Sequence, residues 1–337
     1  MLPWFRQICS TGFSKPQRTR QLPEETSNAV CSSYSHAMQQ KLTPSTIFFL
    51  TAAPLMWAGN AVVGRVVHDL VSPMLLNFIR WLVAFAVILP LARSILTRNS
   101  PLWSHWKRWS VIGLLGIGCY NAFQYLALKT SGPINVTLVA ASMPLWMMAF
   151  GALFFNSRIT RPQLAGAVFS ITGVLIVLSH GQWEQLTQLR LVPGDLYMLL
   201  STACWSLYSW LLVRTTEPAG IKSHWAQLLM AQLAFGLVWS GLFAGGEWAV
   251  GASHLQLNGT LLAAIAYIVI GPAILAYRFW GVGVQRAGPT AAGFFTNLTP
   301  LFAAVLSAAF LGEPPRLYHA IAFLLIVAGI VISSRRA

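Results

Sequence analysis

Ten apolar runs, separated by short polar breaks, constrain this chain more than any single residue does. They cover about 45–66, 72–92, 109–128, 133–155, 162–179, 194–213, 223–245, 259–280, 289–311 and 317–334. A bilayer core is crossed by ~20 mainly apolar residues in a helix. Hydrocarbon offers the backbone no partners, so each such run must satisfy its own N–H and C=O groups as a helix. The expected fold is therefore an all-α polytopic membrane protein with ten transmembrane helices. Composition agrees: 56% of residues are hydrophobic, 9% are charged and the mean hydropathy is +0.62. A soluble domain carries about 25% charged residues. The net charge of +14 would suggest nucleic acid in a soluble chain. Here the basic residues lie between the apolar runs, so the expected partner is the lipid bilayer and no nucleic acid.

The runs repeat. Gly132-Pro133, Pro144 and Gly173 recur as Gly288-Pro289, Pro300 and Gly329. The offset is constant: 288−132, 289−133, 300−144 and 329−173 all give 156. Ten spans in two copies give five per copy. Five is odd, so the second copy enters the membrane from the opposite side, as in the inverted repeats of transporters. Loop charge sets the orientation. With the N-terminus cytoplasmic, sixteen Lys and Arg residues face inward; only Lys129, Arg190 and Arg316 face outward. The expected organisation is a disordered cytoplasmic tail over 1–43, a first five-helix repeat over 44–180 and a second over 192–335, with both termini inside.

The tail holds Lys15, Arg18, Arg20, Glu24 and Glu25 among Ser and Thr, without the periodicity of a folded segment. No apolar core follows its early basic residues, so it does not read as a signal peptide. Met38 offers a second start site just before the first span. Cys9 and Cys31 lie in the tail, Cys119 and Cys204 in apolar runs. No metal-ligand spacing occurs, so neither metal nor cofactor is expected.

Polar groups inside spans mark function by default, because they are costly in hydrocarbon. Arg80 lies mid-span with Asn77 one turn before it. Arg65 and Arg278, nearer span ends, are either interface anchors or cavity residues. Trp57 with Asn60, Asn121 with Gln124, and Trp205 with Tyr208 are each three apart, on one helical face. Tyr277 adjoins Arg278, and Asn297 precedes Pro300. Interhelical hydrogen bonding is the plainer role for any one of them; matched pairs point to a shared cavity. Pro144 and Pro300, inside apolar runs, are expected to kink their helices and act as hinges or cavity walls. Trp103, Trp106 and Trp109 fit an interfacial belt. None of the eight acidic residues lies mid-span, so no proton relay shows. There is no Walker motif and no catalytic constellation.

Several motifs together resemble the EamA-like family of the drug/metabolite transporter superfamily. They are Leu55-Met56-Trp57-Ala58-Gly59-Asn60, Asn77-Phe78-Ile79-Arg80-Trp81, Ala127-Leu128-Lys129 leading to Gly132-Pro133, and Leu311-Gly312-Glu313-Pro314. The first copy departs from the pattern: Ser157 stands where Glu313 supplies an acid in the second. The resemblance spans about 45–335. It implies two five-helix repeats, no enzymatic activity, and transport of small solutes.

The expected function is export of a small metabolite such as an amino acid across the inner membrane by alternating access, as a monomer or homodimer. Trp57, Asn60, Asn121, Gln124, Trp205 and Tyr208 would line the cavity, with Arg80, Tyr277, Arg278 and Asn297 as further solute contacts. Asn offers donors and acceptors, and the aromatics offer apolar walls. The alternatives are a proton-coupled multidrug pump and a non-transporting membrane sensor or intramembrane enzyme.

Overall fold

The computed structural model describes residues 42–131, 136, 139–179, 181–182, 184, 192–213, 221, 224–311 and 317–335. The tail over 1–41, Gly132-Pro133 and the 312–316 segment with Glu313 lie outside these residues. Helices α1 (Pro44–Val66), α2 (Pro73–Ala92), α3 (106–130), α4 (Met143–Phe155) and α5 (Arg161–Leu178) precede the middle loop. Then follow α6 (Pro193–Val213), α7 (Trp225–Ala249), α8 (259–287), α9 (Pro289–Phe295), α10 (Leu298–Leu311) and α11 (Leu317–Ser333). Among the described residues, eight helical stretches are long and apolar enough to cross a bilayer; α4 and α11 are shorter apolar helices. The chain is an integral, multi-pass, all-helical membrane protein.

Local sequence sets where these helices start. Pro44, Pro73 and Pro289 occupy the first turns of α1, α2 and α9. Proline suits that place because its missing N–H would be unpaired there anyway. The Thr43 side chain accepts from Thr46 N, and Thr160 with Gln163 forms a capping box on α5. Gly288, at φ +81°, turns α8 into α9, a conformation that favours glycine.

Pro144 and Pro300 do not kink continuous helices. A turn at Ala141-Ser142 precedes α4, and Pro144 lies in its first turn. A turn at Thr296-Asn297 separates α9 from α10, where Pro300 lies near the start. The helix breaks just before each proline, where the residues ahead can leave helical geometry without a clash. Pro54 and Pro90 are the prolines inside regular helices. Trp109 also departs from expectation: it is fully buried, while Trp103 and Trp106 are exposed. And α7 runs to Ala249, past the expected end near 245, taking Glu247 with it.

Two helices pack through small residues. A Cβ on Gly166 would sit 2.6 Å from the Gly329 carbonyl, and one on Gly329 would sit 2.7 Å from that of Gly166. A Cβ on Gly173 would meet the Ala322 carbonyl at 2.9 Å. Without side chains the α5 and α11 backbones approach closely, the usual source of helix affinity in lipid. The outward faces remain apolar and exposed, including Val87, Leu153, Val168, Leu242 and Leu324. An exposed apolar belt of this kind needs lipid to cover it.

Both α3 and α8 contain a π-helical segment, Leu114–Cys119 and Val269–Leu275. Such segments are rare and tend to mark functional sites. Widening a helical turn leaves carbonyls for side chains to claim, and these are claimed from neighbouring helices.

Candidate solute site

The π segments bring the aromatic residues together. Trp57 Nε1 donates to the Pro272 carbonyl at 3.3 Å, and Tyr277 Oη donates to the Gly116 carbonyl at 2.5 Å. Gly116 and Pro272 are separated by the same 156 residues as the Gly-Pro landmarks. Around them the rings form one cluster. Trp205 lies 5.1 Å from Trp57, 5.4 Å from Tyr277, 4.8 Å from Tyr208 and 4.4 Å from Tyr120, measured between ring centroids. Trp280 lies 5.5 Å from both Trp57 and Trp205. Trp81 joins from α2 at 4.8 Å from Tyr277. Aromatic pairs at such spacings add ~0.5–1.5 kcal/mol each beyond area burial. Hydrogen bonds orient the rim: Tyr208 Oη to Gln232 Oε1 at 2.8 Å, and Trp280 Nε1 to Ser209 Oγ at 3.1 Å.

Behind the rings lies a polar pocket. Arg80 is 1% exposed. Its Nη1 donates to Asn121 Oδ1 at 3.1 Å and to Tyr125 Oη at 3.2 Å. Its guanidinium lies 4.7 Å from the Trp81 ring centroid. Asn77 steadies this corner, donating to the Ile117 carbonyl at 3.1 Å and accepting from Trp81 Nε1 at 3.1 Å. Four buried polar atoms here have no partner: Arg80 Nε, Asn121 Nδ2, Trp205 Nε1 and Asn60 Oδ1. Each such orphan costs ~1–3 kcal/mol, a cost expected where a ligand supplies the missing partner.

A cavity of about 210 Å³ opens beside the cluster. Tyr277 and Gln232 reach it from the aromatic side; Trp225, Arg278 and Gln285 line it nearer the α7 N-terminus. Arg278 is exposed and stacks over Trp225 at 4.6 Å. At the other end of α7 the molecule is closed. Glu247, 8% exposed, accepts from Ser72 Oγ at 2.6 Å and from the Leu75 and Met74 amides at 3.1 and 3.4 Å. It thus seats a carboxylate on the α2 N-terminus, where the helix dipole favours negative charge. The bridge between Val71 and Leu255 closes the same end. Asp195, also buried, accepts from Ser131 Oγ and from Val192 N. The cavity thus lies toward the N-terminus of α7, and Glu247 ties the opposite end of α7 to α2.

The structure brings Trp57, Trp205, Tyr208 and Tyr277 into one cluster and Arg80 with Asn121 into the pocket behind it. Gln124 is half-buried one turn on from Asn121. Asn60 is 5% exposed on the face of α1 that carries Trp57. Asn297 stands apart: its Nδ2 donates to Ser170 Oγ at 2.8 Å, tying the α9–α10 break to α5. The residues the sequence did not single out as site residues are Trp81, Tyr120, Tyr125, Gln232 and Trp280. The signal for Trp81 was present, since Asn77 and Trp81 are one helical turn apart, i to i+4. Tyr120 and Tyr125 flank Asn121 but fall off the spacing that paired Asn121 with Gln124.

The sequence pattern of the EamA-like transporter family matches residues 44–179 and again residues 192–335. The chain belongs to the EamA-like transporter family. Among this member's relatives, the uncharacterized transporter YyaM of Bacillus subtilis is 27% identical over 237 residues, covering 70% of this chain and 76% of that one. The aromatic amino acid exporter YddG of Ancylobacter novellus is 27% identical, covering 78% and 88%. A probable amino-acid metabolite efflux pump of Salmonella typhimurium is 27% identical, covering 85% and 93%. A solved crystal structure shares the fold at a TM-score of 0.67 and 23% identity, over 86% of this chain and 96% of the other. Membership of a transporter family implies a small-molecule solute and a membrane environment.

Proposed function

We propose that this transporter exports small amphipathic metabolites, amino acids among them, from the cytoplasm across the inner membrane by alternating access. The observation that carries the reading is the cavity beside the aromatic cluster, with Tyr277 and Gln232 on its inner side and the exposed Arg278 at its rim, while Glu247 ties the far end of α7 to α2. Relatives named as amino-acid and metabolite exporters support the solute class. Trp57, Asn60, Arg80, Asn121, Gln124, Trp205, Tyr208 and Tyr277 contact the solute in this reading, with Arg278 at the mouth. Asn297 lines the α9–α10 break, and the breaks at Pro144 and Pro300 serve as hinges.

Ten spans form two inverted five-helix repeats, 44–180 and 192–335, with both termini cytoplasmic. Support comes from the α5–α11 crossing. By the offset of 156, Gly166 is equivalent to Ala322 and Gly173 to Gly329. The contacts are Gly166 with Gly329 and Gly173 with Ala322. Each contact becomes the other when the copies are exchanged, the signature of a two-fold axis. The two residues run in opposite directions along their helices, as copies inserted from opposite sides would. The π segments in α3 and α8 match this offset to within one residue, 269−114 = 155 and 275−119 = 156.

Flux of labelled amino acids into and out of proteoliposomes tests the reading. Solute movement dependent on the protein is expected; its absence for every amino acid and related metabolite tried would overturn it. The buried Glu247 at the latch gives the proton-coupled alternative a specific footing. Flux that requires a pH gradient and is lost in Glu247→Gln would favour that mode of energisation.

A further inference from the structure

Among the described residues no carboxylate pairs with the buried guanidinium of Arg80. Glu247 is engaged on the α2 N-terminus and Asp195 on Ser131. Two neutral oxygens, from Asn121 and Tyr125, share Nη1. The Nε donor, on the opposite edge of the guanidinium, has nothing. Asn121 turns its oxygen to Arg80, and its Nδ2 is left as a second unpaired donor. The neighbouring Trp205 Nε1 is a third. All three lack the same thing, an acceptor oxygen.

We propose that Arg80 is the anchor for a carboxylate group on the transported solute, with Asn121 Nδ2 as its second donor. This rests on the transport reading and names the chemical class of the solute. A planar guanidinium edge matches a carboxylate better than a spherical anion. The surrounding rings supply the apolar wall for the rest of the molecule. Arg80 lies one aromatic layer behind the cavity: its guanidinium stacks on Trp81, Trp81 meets Tyr277, and Tyr277 lines the cavity. Arg278 stands at the mouth, and among the described residues no acid lines the cavity. An anion entering from that side meets a positive potential at the mouth and a positive end point beyond the rings.

Two probes with one aromatic body and opposite charge test this: 3-phenylpropionate and 2-phenylethylamine. Each is titrated into the purified full-length protein in nanodiscs, with intrinsic tryptophan fluorescence as readout. The acid is expected to bind at least tenfold more tightly than the amine. Arg80→Gln should weaken the acid tenfold or more and should not weaken the amine, whose repulsion by the guanidinium it removes. Arg80→Lys, which keeps the charge but loses the fork, should retain part of the preference. If Arg80→Gln does not fold, the wild-type ratio and Arg80→Lys carry the test. Equal binding of acid and amine, or acid binding untouched by loss of Arg80, overturns the assignment. Uncharged 2-phenylethanol separates the two readings. Binding and flux of the alcohol without the acid would discard the anchor and keep the transporter; no solute bound or moved would discard both.

Discussion

On the proposed repeat Trp57 and Trp205 hold equivalent places, 205−57 = 148, yet their indole N–H groups are in different states. Trp57 is bonded to the Pro272 carbonyl; Trp205 is buried with no acceptor. The equivalent carbonyl, Gly116, is occupied by Tyr277. In a two-fold transporter the opposite-facing state exchanges the roles of the copies. Trp205 would then take Gly116, and Trp57 would be the one left free. Trp57→Phe should therefore destabilise the conformation described above by ~1 kcal/mol, the net worth of one hydrogen bond. Trp205→Phe should leave this conformation intact and disfavour the other. Opposite shifts in accessibility at the two membrane faces check this; equal shifts would contradict it. Arg80→Ala, removing a charge buried mid-helix, should impair solute binding or folding far more than Arg335→Ala at the exposed C-terminal end. Flux and melting temperature compare the pair, and equally mild effects would place Arg80 outside the site.

At the scale of elements, the α5–α11 crossing and the Glu247 latch carry the strongest expectations. Gly329→Val puts a branched side chain against the Gly166 carbonyl and the Ser170 backbone. Overpacking of this kind costs ~1–3 kcal/mol, to be read as a lower melting temperature in detergent. Glu247→Gln keeps the shape but removes the charge from three hydrogen bonds. Charged acceptors are worth roughly twice neutral ones, so the latch should weaken and labelling of the face near Asp69 and Leu257 should rise. Both elements were partly legible in sequence. Gly173 and Gly329 of the crossing keep the 156-residue offset, and the apolar runs located most helix ends to within a few residues, although α8 runs on to Ala287 and α4 starts only at Met143. The π segments were not legible. A change from α to π hydrogen bonding leaves the apolar pattern of Leu114–Cys119 and Val269–Leu275 untouched. Proline marks a disturbed helix but not its form, so the breaks ahead of Pro144 and Pro300 read as kinks. Trp109 ends an apolar run, where core and interface place the same residue type, and only packing decides. Glu247 read as a loop acid because the run thins at Gly245-Gly246 before α7 ends.

In the proposed architecture the whole molecule is two copies of one unit around an aromatic cluster, with a cavity beside it. The orientation proposed from loop charge puts Asn99 inside and Gly246 outside. Impermeant thiol labelling from outside should modify a cysteine at Gly246 and spare one at Asn99; the reverse pattern would invert the orientation. Alternating access makes a stronger demand, that the two faces move in opposition. Spin labels at Asp69 and Leu257 report the latched face, and labels at His224 and Gln285 report the cavity face. Pulsed electron–electron distance measurements on both pairs, with and without a transported solute, test the account most directly. A solute-driven shift that lengthens one distance as it shortens the other is the expected result. Two distances that do not respond to solute, or that lengthen together, would contradict it.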